Sequence, residues 1–551
     1  MTNKPMMRMR VHLGQFQEEV EAALSEMALD RLIARLWSKD HTLWKPDPRD
    51  ITNRLGWLTV AEQMRDVVGA LTDFAQRVRT AGFRDVVLLG MGGSSLGPEV
   101  LRRTFSSAPG YPRFWVVDST VPGLVFRVTK AINPDKTLFI VASKSGGTIE
   151  VTSLYAHFST LVGHTRRAAG EHFVAITDPG TSLSTLAQEH GFRATFTNPP
   201  DIGGRYSVLS YFGLVPAALL GLDLGRLLER GLEMSEVCGP HQPPHQNPGA
   251  YLGAVLGILG RSGRDKVTLV ASPKISSFGL WAEQLLAEST GKDGKGLIPV
   301  AEEPLAPVEA YGADRLFIYL RLDSDANAEY DHYITALEQA GQPVVQLTLR
   351  DLYDLAAEFF RWEFATAVAS YYLGVHPFDQ PNVQESKENT RRVLDYVKRH
   401  GHLPVAEGEE RPVEALLSKA GPGRYFAFLA FLTPSARTDA TIRALRKTLV
   451  TTYHVATTAG YGPRYLHSTG QLHKGGPNSG LFLQVIEEMK PDLPVPGEPF
   501  TFGLLAQAQA VGDYHALLAR QRAVARVWVG SQAREALRTV LKHGPRVRHA
   551  W

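Results

Sequence analysis

Two apolar runs each empty directly into a short loop of glycine and serine, and this pairing constrains the fold more than any other feature. Val86-Val87-Leu88-Leu89 runs into Gly90-Met91-Gly92-Gly93-Ser94-Ser95-Leu96-Gly97-Pro98. Thr137-Leu138-Phe139-Ile140-Val141 runs into Ala142-Ser143-Lys144-Ser145-Gly146-Gly147-Thr148-Ile149-Glu150. A buried strand that ends in small hydroxyl residues ahead of a helix is how an α/β sheet cradles an anion. Glycines let the backbone approach, while hydroxyls and helix N-terminal N–H groups donate to oxygens. Two such loops in one sheet fit a phosphorylated ligand of some size.

The pattern repeats along the chain. From about 61 to 245, strand candidates at 86–89, 113–117, 137–141 and 172–176 alternate with helices near 97–105 and 149–161. Strands separated by helices call for a parallel sheet covered on both faces. The segment from Gly239 to Pro248, rich in Pro, Gln and His, marks a boundary. A second α/β region follows, with strands at 266–271, 315–320 and 343–347 and helices at 279–288 and 351–373. After a polar break from His400 to Arg411, a third pattern opens with strands at 425–431 and 452–458 around a helix at 438–448. The expected fold class is α/β: two doubly wound parallel-sheet domains plus an additional C-terminal α/β region. The expected divisions are a helical N-terminal extension over 1–60, then 61–245, 246–398 and 399–551.

At 551 residues the chain exceeds one hydrophobic core. A formal charge of +3 is too small for its size to recruit nucleic acid or an anionic membrane. Cys238 is the single cysteine, which excludes an intrachain disulfide and fits a reducing, cytoplasmic setting. The N-terminus shows no secretory pattern, and the apolar stretch from Val208 to Leu222 contains Pro216 and is short for a membrane span, so it reads as a buried helix.

Several clusters carry chemistry. The first glycine loop misses the dinucleotide fingerprint. In the second, three hydroxyls (Ser143, Ser145, Thr148) crowd beside Lys144, more than a helix cap needs, so a phosphate site is the better reading. Gly203-Gly204-Arg205-Tyr206-Ser207 presents an arginine at the start of an apolar helix, where a cation opposes the dipole unless it meets an anion. Phe278 to Glu288 reads as an amphipathic helix closed by Ser289-Thr290-Gly291-Lys292. Glu288 falls in its last turn, where the negative end of the dipole disfavours a carboxylate's charge, a tuning useful to a base working near neutrality. Pro377-Phe378-Asp379-Gln380 to Lys387 and Leu466-His467-Ser468-Thr469-Gly470-Gln471-Leu472-His473 add further polar groups. No metal spacing is present: His467 and His473 are six apart, and the calcium-loop-like Asp323-x-Asp325-x-Asn327 lacks its glycine and closing glutamate.

In order, these segments resemble phosphoglucose isomerases. The family's Gly-x-Gly-Gly-Ser-x-Leu-Gly-Pro is similar to residues 90–98, its phosphate loop to Ser143–Glu150, its Gly-Gly-Arg-Tyr-Ser to 203–207, its Glu-Ser-x-Gly-Lys to Glu288–Lys292 and its Pro-Phe-Asp-Gln motif to Pro377–Lys387. The chain is most similar to the isomerase half of transaldolase–phosphoglucose isomerase fusions, without the transaldolase half. Three departures stand out. Gly147 replaces a phosphate-loop threonine, Gln384 replaces a glutamate, and the best match for the catalytic histidine, His467 with Gln471 four residues on, follows Lys387 instead of preceding it.

The resemblance implies interconversion of glucose 6-phosphate and fructose 6-phosphate in glycolysis and gluconeogenesis, with no cofactor or metal. It implies Glu288, His467, Lys387 and Arg205 as catalytic residues. Phosphate would sit on Ser143, Ser145 and Thr148 with Lys144 nearby, and Gly93, Ser94 and Gln380 would meet sugar hydroxyls, with His473 as a further contact. A homodimer is expected by resemblance, and association with a separate transaldolase is open. Competing readings are an isomerase of another sugar phosphate, such as mannose 6-phosphate, and a non-catalytic sugar-phosphate sensor; Glu288, Arg205 and Lys387 argue against the sensor, which needs no base.

Overall fold

The computed structural model describes residues 8–163, 169–404 and 412–529. The described residues open with a strand, β1 (Met9–His12), followed by helix α1 (Gln17–Leu29). The first sheet contains β2 (Asp85–Gly90), β3 (Arg113–Val117), β4 (Thr137–Ala142), β5 (Phe173–Thr177) and β6 (Ala194–Thr197) in the order β3-β2-β4-β5-β6, all parallel. Helix α2 (Gly93–Phe105) follows β2 and α3 (Ile149–Gly163) follows β4. Both β2 and β4 are buried along their whole length, which is why they read as continuous apolar runs without alternation.

The second region opens with α4 (Pro248–Arg261), capped by the Asn247 side chain, which accepts from the Ala250 N–H at 2.8 Å. It continues through β7 (Lys266–Ala271), α5 (Phe278–Thr290), β8 (Ile298–Val300), β9 (Arg315–Leu322), β10 (Val344–Leu349), α6 (Leu355–Leu373) and α7 (Pro381–His400). Helix α6 is buried on every side, and α4 lies against it through Gly249, Gly253 and Gly257. A Cβ at Gly253 would come within 2.6 Å of Val368 and one at Gly257 within 2.7 Å of Tyr372, so side-chain-free positions every fourth residue allow the close crossing.

The second sheet has the order β1-β10-β9-β7-β8. Its edge strand β1 comes from the N-terminus and pairs antiparallel with β10. The N-terminal segment is therefore not only helical, as its sequence had implied: Met9–His12 alternates partly buried and exposed residues and completes a sheet hundreds of residues away.

The third region comprises β11 (Tyr425–Phe431), α8 (Ala436–Tyr453), β12 (Ala456–Tyr461), α9 (Gly470–Gly475), β13 (Gly480–Glu487), α10 (Phe502–Ala519) and β14 (Ala523–Val529). Its parallel sheet runs β12-β11-β13-β14. The strand expected over 452–458 starts later, because α8 continues to Tyr453 and His454 ends it in the left-handed region. Residues 405–411 of the expected polar break lie outside the described residues.

This sheet is no tethered appendage. Val121 of the first region and Ala287, Ile298 and Val300 of the second share one apolar cluster with Tyr425, Leu429, Phe431 and Phe482. Polar ties reinforce the seam: Ser119 Oγ donates to the Gly462 carbonyl at 3.1 Å, and Arg446 Nη2 to the Ala301 carbonyl at 2.8 Å. Among the described residues no helix is long and apolar enough to cross a membrane, and no group of three or more His, Cys, Asp or Glu could hold a metal ion.

Candidate active site

The strand-end loops of the first sheet, the end of α5, the start of α7 and the segment before α9 meet in one place. Gly92 and Gly93 show how tightly. Gly92 adopts φ +55°, and a Cβ there would stand 2.7 Å from the His467 carbonyl and 2.9 Å from Gln284 Nε2. A Cβ on Gly93 would be 2.0 Å from the Gly204 carbonyl. Any side chain at these positions would wedge the Arg205 turn and the His467 segment away from α2.

Arg205 and Glu288 form a buried pair. Their side chains are 4% and 5% exposed, and Arg205 Nη1 is 3.3 Å from Glu288 Oε1. The rest of the guanidinium fork is committed to fixed acceptors: Nε to Ser289 Oγ at 2.9 Å, Nη2 to the carbonyls of Pro377 at 2.6 Å and Asp379 at 3.1 Å, and Nη1 to Gln380 Oε1 at 3.4 Å. The anion expected opposite Arg205 is thus a side chain of α5. Gln284, one turn earlier, donates from Nε2 to Glu288 Oε2 at 3.0 Å and to the His467 carbonyl at 2.8 Å. That amide links the carboxylate to the histidine segment.

His467 meets a partner that the sequence had not singled out. Its Nε2 donates to Glu150 Oε1 at 2.7 Å, with side chains 14% and 4% exposed. Glu150 lies in the first turn of α3. Burial works against its charge, but the His467 imidazole, its hydrogen bond and the Lys387 ammonium outweigh that and hold the carboxyl below its usual range. The signal was present, since Glu150 closes the loop motif Ser143–Glu150, yet no local pattern connects it to a histidine 317 residues away. Beyond its Nε2 contact, His467 lines the cleft. Lys387 lines the same cleft as Thr148, Glu150 and His467, together with Arg391 and Gly147.

In the second glycine–serine loop, Ser143 Oγ and Thr148 Oγ1 are 3.1 Å apart, and Ser143 Oγ accepts from the Gly146 N–H at 3.1 Å. Ser143 therefore shapes the loop, while Ser145 is exposed and Thr148 faces the cleft. Lys144 does not point there. Its ammonium bonds Asp178 and, at 3.2 Å, the Pro200 carbonyl, because an acidic residue just beyond β5 offers a nearer partner than the loop mouth. Gly147 has nothing within 4 Å of the place a Cβ would occupy, so the hydroxyl missing here leaves open space.

His473 is not brought to this cleft. It is buried against Phe482, with ring centroids 5.0 Å apart, and lines a separate cavity with Glu283, Arg464 and Thr458. Burial, with Lys474 and Arg522 adding to it, pushes its basicity well below the ordinary imidazole range. Ser94 is buried at the start of α2, and Gln380 is exposed immediately before α7.

Two residues hold the site's frame. Gln471 Nε2 donates to the Gly291 carbonyl at 3.0 Å and to Asn382 Oδ1 at 2.8 Å, while its Oε1 accepts from the Asn382 N–H at 2.9 Å. Gly291 is there for proximity: a Cβ would lie 2.5 Å from Leu472 Cα. Lys292 donates to the His376 carbonyl, to the Asp379 carbonyl at 2.7 Å and to Asp379 Oδ1 at 2.5 Å. Burial first, then the neighbouring Arg205, pushes the Lys292 ammonium down to about 7 despite Asp379.

Parallel α/β sheets with loops converging on such a cleft define a phosphosugar-isomerase fold. The crystal structure of a glucose-6-phosphate isomerase from Chlamydia trachomatis superposes with a TM-score of 0.59, covering 71% of this chain and 88% of that one at 17% identity. A hypothetical protein from Thermus thermophilus also gives 0.59, over 70% of this chain and 99% of that one at 26% identity. The phosphoglucose isomerase family profile matches residues 42–296. The glucose-6-phosphate isomerase of Rubrobacter xylanophilus is 31% identical over 68% of this chain and 95% of its own length. That of Thermus thermophilus is 30% identical over 62% and 90%. The chain belongs to the phosphoglucose isomerase family.

Proposed function

We propose that this enzyme interconverts glucose 6-phosphate and fructose 6-phosphate, with Glu288 as the base, Arg205 as the oxyanion partner and His467 as the ring-opening group. The observation that carries the reading is the convergence of two buried pairs, Arg205–Glu288 and His467–Glu150, bridged by Gln284. The phosphate anchors at Ser145 and Thr148, so that binding energy remote from the reacting carbons positions them. His467, assisted by Lys387, moves the proton between the anomeric hydroxyl and the ring oxygen as the ring C–O bond breaks. Glu288 takes the proton from C2 and returns it to C1. The cis-enediolate formed between these transfers carries negative charge on oxygen, and the fixed guanidinium of Arg205 stabilises it without reorganising.

A homodimer and work in the cytoplasm belong to the same proposal; family resemblance supports the first, and the single cysteine, Cys238, fits the second. Sedimentation equilibrium tests the dimer.

The deciding experiment supplies fructose 6-phosphate and follows glucose 6-phosphate through a coupled dehydrogenase, for the parent and for His467→Ala. Strong parental activity that collapses in the variant is expected. Activity untouched by the variant removes His467 from ring opening, and an inactive parent removes the assigned substrate pair.

A further inference from the structure

We propose that Gln509 is a positioning residue for the His467–Glu150 pair, holding the Glu150 carboxylate ionised toward the imidazole through a hydrogen-bond chain that starts at Thr120. This rests on the assignment of His467 above and adds a residue from α10.

Glu150 Oε1 accepts two hydrogen bonds of 2.7 Å, one from His467 Nε2 and one from Gln509 Nε2. The amide is itself oriented, because Gln509 Oε1 accepts from Thr120 Oγ1 at 2.7 Å. The reversed amide would set its oxygen against a carboxylate oxygen with no proton between them. Thr120, Glu150 and Gln509 are all buried, at 0%, 3% and 2% exposed, and Glu150 and Gln509 lie side by side in the wall of the cleft. Thr120 follows β3, Glu150 opens α3 and Gln509 belongs to α10, so the chain crosses from the first sheet to the third region.

The neutrality of this donor matters. A second cation would compete with a protonated imidazole for Glu150, whereas an amide supports the carboxylate and leaves its charge for His467. The other charged groups facing Glu150 are Lys387 and Arg391 across the cleft. On α10, Asp513 is engaged with Lys474 at 2.6 Å and with the Tyr465 hydroxyl at 2.7 Å. Asp118, just beyond β3, lies 3.5 Å from Arg464. The third region thus supplies both the histidine and the group that steadies its partner.

The test uses the full chain with Gln509→Leu, Gln509→Glu and Thr120→Val, measuring kcat and KM from about pH 5.5 to 9. Gln509→Leu is expected to lower kcat about tenfold with KM within about twofold, the loss of one hydrogen bond to a buried charge. Gln509→Glu has the same shape but donates only when protonated. Its kcat relative to the parent should recover as pH falls, a signature that a merely structural residue does not give. Thr120→Val should show a smaller loss of the same kind. A variant-to-parent ratio flat with pH overturns the proposal, with or without a loss of stability. A readout without turnover keeps this separate from the substrate assignment. The ¹⁵N shifts of the His467 imidazole, followed against pH in the ligand-free protein, should differ between the parent and Gln509→Leu. Identical curves overturn the role of Gln509 even if the parent acts on another sugar, while an inactive parent overturns only the substrate assignment.

Discussion

Replacing Arg205 with lysine keeps the charge and removes the fork, so it isolates what geometry contributes. The guanidinium spans Glu288, Ser289 and the Pro377 and Asp379 carbonyls from one buried position. A single ammonium reaches Glu288 or the carbonyl pair, not both. If it stays with Glu288, the buried Pro377 carbonyl loses its donor, at about 1–3 kcal/mol, and only Lys292 still holds the Asp379 carbonyl, so the segment leading into Gln380 loosens. If it follows the carbonyls, the enediolate loses its cation, and removing one such preorganised donor costs about 2.7–4 kcal/mol, or roughly 10²–10³ in kcat. Either way kcat is expected to fall by about two to three orders of magnitude while KM changes by only a few fold, because the proposed phosphate anchors, Ser145 and Thr148, are not among the partners of Arg205. The coupled dehydrogenase assay with fructose 6-phosphate reads both constants. A variant with kcat within about threefold of the parent would refute the argument, since charge alone would then suffice. A rise in KM with unchanged kcat would make Arg205 a substrate anchor.

Two further outcomes are expected. Glu288→Gln preserves shape and the Gln284 contact but removes the base, so hydrogen exchange at C2 should fall by about 10²–10⁴ with substrate binding within a few fold; near-parental exchange excludes Glu288 as the base. Glu363, fully buried on α6 with neither carboxyl oxygen hydrogen-bonded, is pushed well above its ordinary 4.5 by burial. The folded protein retains that proton while the unfolded chain releases it above about pH 4.5, so this residue lowers stability as pH rises through that point. In Glu363→Gln the penalty disappears, and the stability difference from the parent should grow by about 1.4 kcal/mol per pH unit above that pH; denaturant unfolding that gives a pH-independent difference refutes it.

Much of the fold was readable because its signals are local. Tyr425–Phe431 coincides with its sequence-based range because a strand buried along its whole length shows as an unbroken apolar run, and Lys266–Ala271 and the partly buried edge strand Arg113–Val117 coincide with theirs because each carries an apolar stretch bounded by polar residues. Short strands escaped: Ala194–Thr197 and Ile298–Val300 are too brief to show a period. Gly480–Glu487 carries an apolar run, Leu481-Phe482-Leu483, broken by the buried Gln484. Met9–His12 escaped because an edge strand depends on the partner it finds.

For the site, the sequence by itself determined the loops. Gly92 and Gly93 announce close backbone approach, and the hydroxyls of Ser143–Thr148 suggest the proposed phosphate site, within a few residues of a strand end, where backbone geometry follows directly from residue type. Direction and partnership were decided only by tertiary structure. Lys144 turns to Asp178, His473 disappears behind Phe482, and His467 finds Glu150 and, through it, Gln509. A buried polar side chain must find the partner that packing brings to it, and here that packing joins α3 of the first region to a segment more than 300 residues later.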